Sequence, residues 1–175
     1  MAMRVLAPLV LFALVSACVA PPSAPPPPPP PRPVAVPRPL PAPPPAPDWR
    51  DRPYSAGTWT YRRDPRGSIA LFGPVGADAS LTLRCDLAAR QIYLSRAGSA
   101  VTPLTIRTSS TARSIPVQPV GGALPYVAAA LAPSDPILEA MGFSRGRFAV
   151  EQAGQPVLTV PSWAEIGRVT EDCRG

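Results

Sequence analysis

The chain has no histidine and no lysine among its 175 residues. Without them there is no Ser-His or Ser-Lys nucleophilic pair and no lysine for a phosphate loop or Schiff base. An imidazole-based metal site is missing too. Cysteine is scarce, with three residues at positions 18, 85 and 173. Aromatic residues make up only 6%, and no basic stretch interleaves with them, so there is no nucleic-acid footprint. Acidic residues total 11, none before Asp48. The close acidic groups, Glu171 with Asp172 and Asp48 with Asp51, read as a solvated helix face and a polar segment beside a linker. Neither reads as an acid and base pair. The apolar run from Val5 to Ala17 has 13 residues and is interrupted by Pro8. A bilayer-spanning helix needs roughly 20. These absences predict no enzyme, no cofactor, no metal site and no nucleic-acid partner.

Proline and arginine are abundant instead. Of 29 prolines, an uninterrupted run fills Pro25 to Pro31. Residues 19–47 are almost only Pro, Ala, Val, Ser and Arg, whereas residues 48–175 hold every Trp, Tyr and acidic residue. Most residues from Pro21 to Pro47 lack a backbone donor and have φ fixed near −65°, which excludes helix and sheet. It predicts a polyproline II rod whose 27 residues reach on the order of 80 Å. It reads as a spacer, with a PxxP ligand for an aromatic groove as the sharper reading. All 17 basic residues are arginine. These charges do not titrate away and can pair bidentately with carboxylates. The formal charge of +6 falls to +3 in residues 48–175, which keep 14 arginines against 11 acidic residues.

The start of the chain carries Arg4, the short apolar run and small residues before Cys18, which is the pattern of a secretory signal peptide. Leu14-Val15-Ser16-Ala17-Cys18 resembles the lipobox of bacterial lipoproteins. The resemblance implies that the Cys18 thiol receives a diacylglyceryl group and that the peptide is cut just before it. Val19 stands where an aspartate would favour retention at the inner membrane. The implied place is therefore the outer membrane, lipid-anchored and facing the periplasm. An ordinary cut after Ala20 would put Pro21 beyond the scissile bond, a poor partner for a protease that binds extended chain. The expected organisation is a signal peptide over 1–17, a lipid-bearing cysteine and proline-rich linker over 18–47, and one globular domain over 48–175.

Within that domain, short alternating runs are separated by Pro and Gly turns. Strands are expected at 58–61, 68–72, 80–85, 91–96, 104–108 and 112–117, the last weakened by Pro116. Residues 126–131 suit either state and are read as strand. Residues 147–151 and 156–160 form a predicted hairpin. Ser134-Asp135-Pro136 opens a short helix over 137–141, stopped by Gly142. A capping box of Ser162 and Glu165 opens the last helix, Trp163 to about Asp172. Trp163, Ile166, Val169, Thr170 and Cys173 share its apolar face, and Arg168 lies within reach of three carboxylates. The expected fold is mainly β: a small β-sandwich or curved antiparallel sheet, with a short internal helix and a C-terminal helix packed on it. Cys85 and Cys173 are an even pair in an exported domain and both point inward. They predict a disulfide closing a loop of about 90 residues.

Two surface candidates stand out. Phe143-Ser144-Arg145-Gly146-Arg147-Phe148 places two arginines around a glycine. Arg145 and Arg147 form either an anion or carboxylate clasp or a turn whose arginines pair with Glu151, Glu139 or solvent. Trp59 and Tyr61 share a strand face, as core or as a carbohydrate-stacking platform.

The last third also resembles small exported proteobacterial domains of uncharacterised function. It has Ser-Arg-Gly-Arg-Phe, a hairpin, Leu158 to Pro161, Trp163-Ala164-Glu165-Ile166 and a terminal Glu171-Asp172-Cys173-Arg174. Its strand, strand, helix and cysteine ending is weakly similar to the invasion-associated locus B family of periplasmic β-sandwich proteins, which supplies no catalytic residue. The expected role is structural or protein-interacting in the cell envelope, with an envelope protein as partner. The alternative is a module for peptidoglycan or an anionic group, bound through Arg145 and Arg147.

Overall fold

The computed structural model describes Ser23 and residues 48–175. The lipobox, Cys18 and the proline run Pro25 to Pro31 lie outside the described residues.

A 3₁₀ turn at Trp49–Asp51 leads into ten strands and two helices. The elements are β1 (Thr58–Asp64), β2 (Gly67–Gly73), β3 (Leu81–Asp86), β4 (Gln91–Ala97), β5 (Leu104–Arg107), β6 (Ala112–Ile115), β7 (Gln118–Val120), β8 (Tyr126–Leu131), α1 (Pro136–Gly142), β9 (Arg147–Glu151), β10 (Leu158–Pro161) and α2 (Ala164–Arg174). Six strands form one antiparallel sheet in the order β1-β2-β3-β4-β8-β7, and four form a second in the order β10-β9-β5-β6. The fold is mainly β, as the alternation predicts.

Side-chain alternation sets the register. Leu83 lies opposite Leu94, and Cys85 opposite Ile92. All four are fully buried, while Thr82, Arg84, Tyr93 and Ser95 face the other way. A one-residue slip would exchange these two sets, so burial fixes the pairing. The inner faces of both sheets and the buried sides of α1 and α2 contribute to one core. Phe72, Leu81, Leu104, Ile106, Phe148, Val160 and Ile166 have no exposed surface there. Burying each such side chain contributes about 1.5–3 kcal/mol.

Polar groups cross the core at defined points. Arg96, 3% exposed, donates to the carbonyls of Val150 and Pro156, joining β4 to β9 and the following loop. Burial lowers its pKa. Trp59 is buried against Phe72, with ring centroids 5.4 Å apart, and its indole N–H donates to Pro161 O at 2.9 Å. Trp59 therefore belongs to the core and is unavailable as a carbohydrate platform. Gly67 needs its missing side chain: its φ is +140°, and a Cβ would stand 2.7 Å from Cys85 O.

The disulfide joins Cys85 on β3 to Cys173 on α2, with Cα atoms 5.4 Å apart. It ties the C-terminal helix to the inner face of the larger sheet. At the same helix, Tyr61 donates to Asp172 Oδ2 at 2.5 Å, and Arg63 donates to Asp172 Oδ1 at 2.7 Å. Arg168 stacks over the Tyr61 ring at 4.3 Å. Burial works against ionisation of Asp172, but these hydrogen bonds outweigh it and hold its pKa down.

Four expectations need correction. The strand expected over 112–117 ends at Ile115, because Pro116 has no donor and the chain leaves the smaller sheet there, to begin β7 in the larger sheet at Gln118. The capping box is not formed. Ser162 donates its hydroxyl to Met141 O at the end of α1, and Trp163 is the N-cap without a side-chain bond. Trp163 is consequently 49% exposed rather than on the apolar face. Arg168 pairs with no carboxylate, because the Tyr61 ring takes its guanidinium and Arg63 takes Asp172.

Candidate functional site at the Phe143–Phe148 turn

The turn between α1 and β9 is latched from three directions. Asp135 opens α1 by accepting from Ile137 N at 2.9 Å, and Arg113 pairs with Asp135 at 2.7 Å. Burial of Asp135 is outweighed by these two contacts, so its pKa is lowered. The helix is only seven residues long and ends at Gly142. Phe143 N–H then closes onto Glu139 O at 2.8 Å.

Ser144 is buried and fixes the next step. Its hydroxyl oxygen accepts from Ser109 N at 2.9 Å and donates to Arg147 O. The Ser109 hydroxyl returns the contact by accepting from Arg145 N at 3.1 Å. The loop carrying Ser109 is itself held by Thr108 Oγ1, which accepts from the N–H of Ser110 and Thr111. Gly146, at φ +77°, points its carbonyl to two donors, Tyr54 OH at 3.1 Å and Ser162 N at 3.2 Å.

This framework separates the two arginines. Arg147 lies over the Tyr54 ring at 4.1 Å and donates to Arg52 O at 2.5 Å. It fastens residues 52–54 to β9 and is not one jaw of a two-arginine clasp. Arg145 is exposed and has no ion-pair partner among the described residues. The acids offered as pairing partners are engaged elsewhere: Glu151 with Arg107 at 3.2 Å, and Glu139 with Arg174 at 3.1 Å. The flanking aromatics also part company. Phe148 is fully buried, whereas Phe143 is 85% exposed.

Phe143 and Trp163 line a groove of about 500 Å³ between α1 and α2. Leu138, Gly142, Ala164 and Gly167 add to its apolar lining, and the charged Glu139, Arg168, Glu171 and Arg174 line it as well. Sequence reasoning found Arg145 but missed Phe143 and Trp163 as a pair. The signal for Phe143 was its place directly after the helix-stopping Gly142. For Trp163 it was Pro161, which separates it from the strand while leaving it outside α2.

Seven of the carboxylates, those of Asp48, Asp64, Asp86, Asp135, Glu139, Glu151 and Asp172, are paired with arginines. Arg84 and Arg66 hydrogen-bond to Asp64 and Asp86 and lower their pKa values. The Arg50 N–H does the same for Asp48. Each is held ionised, the wrong state for donating a proton near neutral pH. No group of His, Cys, Asp and Glu among the described residues is placed to hold a metal. No helix among them is long and apolar enough to cross a membrane.

Compared with protein-family models, curated proteins and solved structures, the chain has no match.

Proposed function

We propose that the protein is an outer-membrane lipoprotein, anchored through Cys18, whose disulfide-closed domain docks an envelope protein with the Phe143–Arg145 turn. One observation carries this reading: a turn fixed by six hydrogen bonds holds Phe143 85% exposed, beside a half-exposed Trp163. Exposed apolar groups on a rigid frame lose little entropy on binding. Aromatic residues and arginine dominate the energetics of protein contacts. The disulfide suits an exported chain, and the proline spacer would let the domain reach beyond its anchor.

In-cell crosslinking of the tagged full-length chain tests the proposal. One dominant envelope protein is expected by mass spectrometry. Phe143→Ala with Arg145→Ala should remove it while leaving folding intact. Undiminished capture by that double variant would place the contact elsewhere. Capture of muropeptides alone, lost on Arg145→Ala, would favour the anionic-ligand reading.

A further inference from the structure

The outer face of the six-stranded sheet carries a second concavity, remote in sequence from the Phe143 turn. Register builds it. Tyr93 lies opposite Arg84 and Ala130, and Ser95 lies opposite Thr82 and Ala128. Ala128 in turn pairs with Gln118 on β7. Strand β8 therefore sets two alanines between the larger side chains of β4 and the proline-bearing edge strand β7. The result is a cleft of about 680 Å³, floored by Ala128 and Ala130 and walled by Tyr93, Pro116 and Val120. Alanine is a poor strand former, so its use at two successive outward positions keeps this space open at some cost to the sheet.

The lining has a definite chemistry. The side chains of Thr82, Tyr93, Ser95 and Gln118 face the cleft, and none is hydrogen-bonded to another described residue. At one end stand Arg66 and Arg84, held in place by Asp86 at 2.6 Å and Asp64 at 2.8 Å. Arg62 lies on the same sheet face, with Ile69 between it and Arg84, and has no ion-pair partner among the described residues. The two arginines that line the cleft are matched one for one by Asp86 and Asp64, and the single excess positive charge is that of Arg62, which lies outside the lining but close enough to act on Asp64. An aliphatic occupant would strand the hydroxyls and the amide, and leaving such groups unpaired is unfavourable.

We propose that the cleft binds a linear glycan bearing carboxylate groups. A sugar ring lies against Tyr93, its hydroxyls pair with Thr82, Ser95 and Gln118, and its carboxylate meets the arginine end. The inference uses none of the residues of the Phe143 turn and stands or falls separately from protein docking there.

The test is fluorescence anisotropy of labelled, peptide-free glycan strands from peptidoglycan, titrated with the full-length chain in detergent. Saturable binding is expected, with uncharged chitin oligosaccharides failing to compete. Ala130→Trp fills the cleft from an exposed position, and Tyr93→Ala removes the stacking surface. Each should weaken binding by about tenfold or more, with an unchanged melting temperature for Ala130→Trp. Phe143→Ala should bind the glycan normally while losing the crosslinked protein. Absence of binding, equal competition by chitin, or full binding by both cleft variants would overturn the proposal.

Discussion

The guanidinium of Arg147 is 4.1 Å from the centre of the Tyr54 ring and donates to Arg52 O. An exposed cation–π contact contributes about 0.5–1 kcal/mol and a hydrogen bond about 1 kcal/mol. Arg147→Ala should therefore destabilise the domain by about 1–2 kcal/mol, read by urea denaturation. Arg145→Ala should stay within about 0.5 kcal/mol, as expected of a solvated side chain. Equal effects would show that the structure misassigns the pair. Both arginines were legible in the sequence as a feature, but their division of labour was not. It depends on Tyr54 and Arg52, more than 90 positions away, and no local pattern announces that Tyr54 will lie under a guanidinium. The same holds for Ser144 and Ser109, two small polar residues that reveal their reciprocal bonds only once the loop and the turn are brought together.

At the scale of elements, the strands were readable wherever one face is buried. Alternation in β3 and β4 identifies both the strands and their inward residues, and it places Cys85 correctly. It fails at residues 112–120, because a chain crossing between sheets buries Ile115 and Val117 on its way and mimics one continuous strand. It also fails at the start of α2. Ser162 and Glu165 have capping-box spacing, yet the Ser162 hydroxyl donates instead to the Met141 carbonyl at the end of α1. The disulfide is the strongest single tie on α2. Replacing Cys85 and Cys173 with alanine should lower stability by about 2–4 kcal/mol. Hydrogen exchange should show the amides of residues 168–174 losing protection ahead of the β3–β4 pair. Uniform loss across the domain would mean that the bridge stabilises the whole fold and does not chiefly hold the helix.

Taken as a whole molecule, the domain is stitched on its outside by arginine–carboxylate pairs. The pKa values of Asp48, Asp64, Asp86, Asp135 and Asp172 are all lowered in the folded state. The unfolded chain thus binds protons more readily than the native one in the acid range. These groups add stability that is fully present above the unfolded aspartate value of about 3.9, and it drains away as pH falls through the lower folded values. With no histidine in the chain, no side chain has its ordinary pKa between about 5 and 8. Melting temperature should therefore be nearly flat from about pH 5 to 8 and fall steeply below about pH 4. A marked step near pH 6.5 would contradict this charge arrangement. High salt should weaken the exposed pairs but spare Arg84 with Asp64, whose side chains are largely covered.

The proposed export and anchoring would decide what the Phe143 turn and the outer-sheet cleft can meet. Intact-mass spectrometry of the protein extracted from membranes addresses this most directly. The account predicts a chain that begins at Cys18, lacks residues 1–17 and carries acyl-glyceryl mass on that cysteine. It also predicts two fewer hydrogens than the reduced sequence, for the Cys85–Cys173 bridge. A membrane-extracted chain that retains Met1, or one cut after Ala20 without lipid, would contradict it.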